Sequence, residues 1–372
     1  MSTLTKRVSV CIAVCLAFTL GLSACTGGSG GSNSKAATAK SLADIGTMAD
    51  LEAAAKAEGK LNVIALPHDW ANYGKIIDGF KAKYPGIAIT EDNPDGSSAD
   101  EIKAAKTNKG LDNAPDVFDL GAAVAFANTS MFAPYKVAAW ADIPDTLKES
   151  TGLYVGDYGG YTSFGYDSSK VPTPATMDDL LKPDYKGKVA INGDPTQAQA
   201  ALGAIGLATL QHGGTLDDFT PGINFFQQLN QAGNFLKVNV TTATIDSGET
   251  PAVFDWDYLN ATHTAKNPNW KVMIFPGKGF AAYYMFAINV DAPHPAAARL
   301  WAEYLFTDDV QNLFLNGGAR PSRMEAMVKA GTIDKTAADK LPPAPSEPIM
   351  PTQKQNTDAG TLLGQKWASA VG

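Results

Sequence analysis

Between Lys60 and Leu120, apolar runs of strand length alternate with stretches carrying a helical stripe, and this alternation constrains the fold more than any other feature. Lys60-Leu61-Asn62-Val63-Ile64-Ala65-Leu66 reads as a buried strand that runs into Pro67-His68-Asp69-Trp70. Tyr73, Ile76, Ile77 and Phe80 then fall on one helical face, and Tyr84-Pro85-Gly86 leads into a second strand, Ile87 to Thr90. A charged helix from Ala99 to Thr107 and a short strand from Asp116 to Leu120 repeat the pattern. Strand-helix-strand units imply a parallel sheet with helices on its faces, so an α/β fold is expected.

A second set of elements begins near Tyr161 to Tyr166, whose residue types suit a strand. Thr176 caps a short helix, Met177 to Leu181, which Lys182-Pro183 stops. Gly187 to Ile191 is then a strand that ends at Asn192-Gly193-Asp194-Pro195-Thr196-Gln197, where an Ala- and Leu-rich helix begins. Ligands of α/β sheets sit beyond the carboxyl ends of strands, so Asp194 and Gln197 are candidate contacts. Pro251 to Phe254 leads in the same way into Asp255-Trp256-Asp257-Tyr258. Lys271 to Pro276 and Ala281 to Val290 are further strands, and Pro295 to Phe306 is an amphipathic helix. His294, between two prolines at that helix start, is expected at the surface, as is the proline-rich stretch from Leu341 to Pro351.

The chain has 372 residues, more than one hydrophobic core usually organises, so two lobes are expected. Its three cysteines, Cys11, Cys15 and Cys25, lie within the first 25 residues, which leaves the folded body without a disulfide, a Cys-ligated metal site or a catalytic thiol. Lys6 and Arg7 followed by the uncharged run Val8 to Leu20 form a signal peptide over residues 1–24. Leu22-Ser23-Ala24-Cys25 resembles the bacterial lipoprotein-processing site, which would make Cys25 a lipidated first residue followed by a Gly/Ser-rich tether. The formal charge of −8, more negative once Lys6 and Arg7 are set aside, argues against nucleic-acid binding.

Asp255 and Asp257, two apart, would share one face of a strand, a pairing that could serve a hydrolase. No G-x-S-x-G or H-E-x-x-H supports hydrolysis. Gly277-Lys278-Gly279 matches a loose dinucleotide fingerprint, but an aromatic strand follows it where a helix would be needed, so a turn is expected. No metal or cofactor is expected from the scattered histidines.

Leu181-Lys182-Pro183-Asp184-Tyr185-Lys186-Gly187-Lys188-Val189, Gly248-Glu249-Thr250-Pro251 and Ala292-Pro293-His294-Pro295-Ala296-Ala297-Ala298 together resemble the substrate-binding proteins of bacterial ABC importers, in the cluster of polyamine, ferric-iron, thiamine and aminoethylphosphonate binders. The resemblance implies a two-lobed, type II periplasmic-binding-protein fold of mixed sheets flanked by helices, with two hinge crossings near Tyr161 to Tyr166 and Phe275 to Ala287. It implies an N-terminal lobe from 42–160 and 276–340, a C-terminal lobe from 161–275, a tether over 25–41 and a tail over 341–372 packing on the lobes. Polyamine binders of this cluster have an aromatic first-strand loop similar to Asp69, Trp70 and Tyr73, an acidic turn similar to Asp194 with Gln197, and an aromatic-plus-polar pair similar to Trp256 and Asp257. Where the iron binders have a tyrosine pair this sequence has Tyr258 alone; the Tyr283-Tyr284 pair follows the second crossing, alternates faces on a strand and is expected to pack in the core or the cleft wall, and His68, Asp69 and Tyr258 could supply hard ligands. Arg320 could reach the cleft to hold an anion such as a phosphonate. The expected function is that of a lipid-anchored, monomeric, non-enzymatic receptor on the extracytoplasmic face, passing a small cationic amine to a permease and ATPase. A surface-anchored hydrolase or a non-binding scaffold are the competing classes.

Overall fold

The structure, a computed structural model, describes residues 35–372; the signal segment and Cys25 lie outside the described residues. Helix α1 (Met48–Glu58) is opened by a reciprocal cap, in which Thr47 Oγ1 accepts from the Asp50 N–H and the Asp50 carboxylate accepts from the Thr47 N–H. Gly59, in the left-handed region at φ 72°, closes it and turns the chain into β1 (Lys60–Ile64). Helix α2 (Tyr73–Lys83) returns over β1 and buries Tyr73, Ile76, Ile77 and Phe80, each worth about 1.5–3 kcal/mol on full burial. Strand β2 (Ala88–Asp92) then pairs in parallel with β1, from Lys60 beside Ala88 to Ile64 beside Asp92. Helix α3 (Ser98–Thr107) leads to β3 (Val117–Gly121).

Two long strands carry the chain between lobes. The first, β4 (Val155–Asp167), is followed by β5 (Val189–Ile191), α4 (Gln199–Gln211), α5 (Thr220–Gln231), β6 (Ala252–Trp256), α6 (Asp257–Thr262) and β7 (Trp270–Met273). The second is β8 (Lys278–Asn289). Through Tyr161, β4 pairs antiparallel with β8; from Thr162 onward it pairs with β6, and from Phe164 also with β7. Strand β8 in turn pairs antiparallel with β3, from Val117 beside Ile288 to Gly121 beside Tyr284. The sheets are therefore mixed: the parallel pairing expected from the sequence holds for β1 with β2 and β5 with β6, while β3 joins its sheet antiparallel to a strand far along the chain. At Gly160 the crossing strand passes so close to Asp257 and Tyr258 that a methyl group would overlap both side chains.

Helix α4 is buried over nearly its whole length, packed on β6, β8 and α5, which explains its apolar circumference. Helix α7 (Pro295–Leu305) fills the N-terminal lobe against α1. His294 ahead of it is buried, not at the surface: its N–H donates to Asp116 Oδ1 at 2.7 Å and its ring pairs with Asp116 at 3.0 Å. Residues 35–41, expected to belong to a tether, pack against the lobe, with Ala36 and Ala39 buried and Arg299 Nε donating to the Ala39 carbonyl. In the tail, β9 (Glu347–Ile349) adds to the first residues of β8, and α8 (Gln353–Val371) lays Trp367 on Phe226 of α5.

Candidate ligand-binding cleft

A cavity of about 750 Å³ opens between the lobes, within the usual size of a small-molecule site. The N-terminal lobe supplies the loop after β1 with Asp69 and Trp70, the start of α3 with Ser98 and Glu101, and Asp119 of β3. The C-terminal lobe supplies the turn after β5 with Asp194 and Gln197, the start of α4 with Gln199, the segment 239–243, and Asp255 of β6. Leu259, Thr262 and His263 from α6 and the turn after it, and Tyr284 on the crossing strand β8, also line it. Thr242 Oγ1 donates to Asp69 Oδ2 at 2.6 Å, joining the two walls.

The lining is strongly acidic. Asp69, Asp95, Asp100, Glu101, Asp119, Asp194 and Asp255 contribute to it, with no Lys or Arg among the lining residues. Three of these carboxylates are almost fully buried: Glu101, Asp119 and Asp255, at 1, 7 and 3 % exposure. Glu101 Oε2 accepts from the Asp119 N–H at 2.9 Å, and Asp119 Oδ2 accepts from Tyr158 at 2.8 Å. Asp119 Oδ1 has no partner among the described residues. Asp255 accepts from Asn192 Nδ2 at 2.9 Å and from the Trp256 N–H at 2.7 Å. Burial pushes Asp255 up to about 7 and holds Asp119 and Glu101 above the ordinary carboxylate range. Behind Asp119, the fully buried Asp157 accepts from Tyr73 at 3.3 Å and adds further negative character. Trp70 and Tyr284 meet edge to face at 5.8 Å, with Tyr158 stacked on Tyr284 at 5.4 Å, so the carboxylates lie beside an aromatic wall.

Of the residues singled out from the sequence, Asp69, Trp70, Asp194 and Gln197 come together on this cavity. Asp194 Oδ1 is occupied by the Thr196 N–H and hydroxyl, and Trp70 Nε1 donates to Tyr158 at 2.9 Å. The others do not line it. Tyr73 is buried behind the wall. Trp256 and Tyr258 form a second aromatic layer, stacked at 6.3 Å, with Trp256 Nε1 donating to Tyr284 at 3.4 Å. Asp257 is fully buried in a pair with Arg320 at 2.6 Å and also accepts from the Tyr161 N–H at 3.0 Å. The Arg320 guanidinium lies over the Tyr161 ring at 4.3 Å, turned to the hinge strand and not to an anion in the cleft. Tyr283 alternates with Tyr284 along β8 and packs into the hydrophobic core, where burial pushes its hydroxyl up to about 12. His68 pairs with Glu91 at 2.6 Å. Asp255 and Asp257 do not share a face, because β6 ends at Trp256 and Asp257 opens α6.

Glu101, Asp119 and Gln199 are among the lining residues that the sequence left unmarked, and Asp255 and Tyr284 stood out there only as halves of a carboxylate pair and a tyrosine pair. Asp119 and Asp255 each carried a signal: one carboxylate near the end of an otherwise apolar strand run. Glu101 and Gln199 sit one turn or less from helix starts, and their position becomes visible only once those helices point at a common space. Among the described residues no group of three His, Cys, Asp or Glu side chains could hold a metal ion, and no helix is long and apolar enough to cross a membrane.

Comparison with known proteins agrees with this architecture. A Fe(3+)-binding periplasmic protein of Serratia marcescens is 30 % identical over 135 residues, a match spanning 35 % of this chain and 39 % of that protein. A putative spermidine/putrescine ABC transporter structure from Listeria monocytogenes superposes with a TM-score of 0.64 at 10 % identity, covering 83 % of this chain and 99 % of that one. A periplasmic thiamin binding protein gives 0.65 at 17 %, covering 84 and 96 %. These likenesses establish the two-lobed type II periplasmic-binding fold with its crossing strands. The family model for bacterial extracellular solute-binding proteins matches residues 112–345, more than half of the chain, and the chain belongs to that family.

Proposed function

We propose that this solute-binding receptor of an ABC importer takes a small organic cation, with a polyamine-like amine as first candidate, and performs no chemistry on it. Glu101, Asp119 and Asp255 carry the proposal: three buried carboxylates belong to the lining of one cavity that holds no Lys or Arg to neutralise them. A buried carboxylate without a counter-charge is costly, and a bound ammonium supplies the missing charge. Trp70 and Tyr284 add an aromatic face worth about 0.5–2 kcal/mol to such a cation. Because Asp119 lies on one lobe and Asp255 on the other, a ligand touching both stabilises the closed state by its differential affinity. The lobes that close are residues 42–160 with 276–340, and residues 161–275. Cys25 carries the lipid that holds a monomeric receptor on the extracytoplasmic face, where it delivers its solute to the permease and ATPase.

Ferric iron is the competing ligand, favoured by the Serratia relative and opposed by a lining with one tyrosine, Tyr284. A thermal-shift series with putrescine, spermidine, thiamine, aminoethylphosphonate and ferric citrate separates the cases. Ligand at about a hundred times its dissociation constant stabilises by roughly 2.7 kcal/mol, a clear shift. Stabilisation by amines supports the proposal; stabilisation by ferric citrate alone, or by nothing in the series, contradicts it.

A further inference from the structure

Residues at the cavity wall carry buried unpaired donors as well as a buried unpaired acceptor. Helix α4 begins at Gln199 with Ala198 in the N-cap position and no side-chain cap. The N–H groups of Gln199, Ala200 and Ala201 have no partner among the described residues, although all three residues are at least 97 % buried. The Gln199 side chain is fixed by Oε1, which accepts from the Ala123 N–H at 3.4 Å, while Nε2 is buried and unpartnered. The other helix starts on the cavity differ: Ser97 with Asp100 and Thr241 with Thr244 form reciprocal caps that each fill two backbone donors, where α4 has no side-chain cap at all. Buried donors need acceptors, and the positive end of a 13-residue helix favours a negative one.

This donor set lies near the unpaired Asp119 Oδ1. Gly121, two residues beyond Asp119 on β3, approaches α4 so closely that a Cβ there would stand 2.5 Å from Gln199 Cβ. A plain diamine satisfies Asp119 and leaves the donors at Gln199 bare. We infer that the solute is an amine that also bears an oxyanion, carboxylate or phosphonate, with its ammonium at Asp119 and its oxyanion on Gln199 Nε2 and the first N–H groups of α4. This rests on the proposed cation-binding function and narrows its substrate class.

The test is calorimetric titration of the protein with ω-amino acids from glycine to 6-aminohexanoate, the diamines of matching length, and 2-aminoethylphosphonate. At one chain length or more the zwitterion is expected to bind at least tenfold tighter than its diamine, with the carboxylate and phosphonate arms deciding the oxyanion. Gln199→Glu keeps the acceptor for Ala123 and replaces the donor by a carboxylate. In that variant, with its melting transition checked, zwitterion affinity falls tenfold or more and diamine affinity rises. Diamines binding as well as or better than zwitterions at every length, or a Gln199→Glu variant with unchanged preference, overturns the oxyanion pole while leaving the cation pole standing. Absence of binding by every amine overturns both.

Discussion

Burial without a counter-charge is the shared condition of Glu101, Asp119 and Asp255, and it sets how the free and bound protein respond to pH. The Asp255 carboxyl, raised from 3.8 to about 7, keeps its proton in the folded state where the unfolded chain has lost it. Its contribution to stability is therefore complete below about pH 4 and is lost as pH rises through about 7. A cation that needs the ionised carboxylate binds better in the same direction. Amine affinity is expected to rise by about fivefold between pH 6 and 7, by about tenfold between pH 6 and 8, and to level off above 8, a slope that Asp255→Asn flattens in titrations at each pH. The Arg320–Asp257 pair behaves differently, since it is complete within the protein. Arg320→Met leaves Asp257 buried and uncompensated and is expected to cost about 3–5 kcal/mol in denaturant unfolding, with ligand affinity retained in the folded fraction. Strand-end aspartates were legible in the sequence, yet the choice between Asp255 and Asp257 was not. It turns on whether the helix begins before or after Trp256, at a boundary where Gly160 of the crossing strand passes close to Asp257.

At the scale of elements, local periodicity carried most of the information. The stripe Tyr73, Ile76, Ile77, Phe80 forms α2, and the all-apolar run after Ala198 forms the buried α4. What periodicity cannot carry is pairing between distant strands: Val117 lies beside Ile288, and neither segment encodes the other. Hinge strand β4 depends on such a contact. Gly160→Ala forces Asp257 and Tyr258 aside, and typical overpacking predicts a loss of about 1–3 kcal/mol, measurable by the shift of the urea midpoint. An unshifted midpoint would mean that the hinge packs more loosely than its backbone spacing implies.

For the whole molecule, two lobes joined by β4 and β8 make closure the natural response to a solute held between them, and the Thr242–Asp69 bond joins the two walls of the cavity. The family and its lobed architecture were readable from sequence landmarks such as Leu181 to Val189, whereas the cleft needed the assembled sheets to bring Glu101 and Asp119 from one lobe opposite Asp255 and Gln199 from the other. Recognition of a cation by these buried acids is the central claim, and Asp119, a lining residue with a buried carboxylate oxygen that has no partner among the described residues, is its sharpest point. Titration of the wild-type protein and Asp119→Asn at pH 8 with the tightest-binding amine tests it most directly. The expected result is a loss of tenfold or more, in line with about 1.5–3 kcal/mol for a hydrogen bond to a charged group, in a variant that melts cooperatively. An Asp119→Asn protein that binds the amine as tightly as the wild type would contradict it.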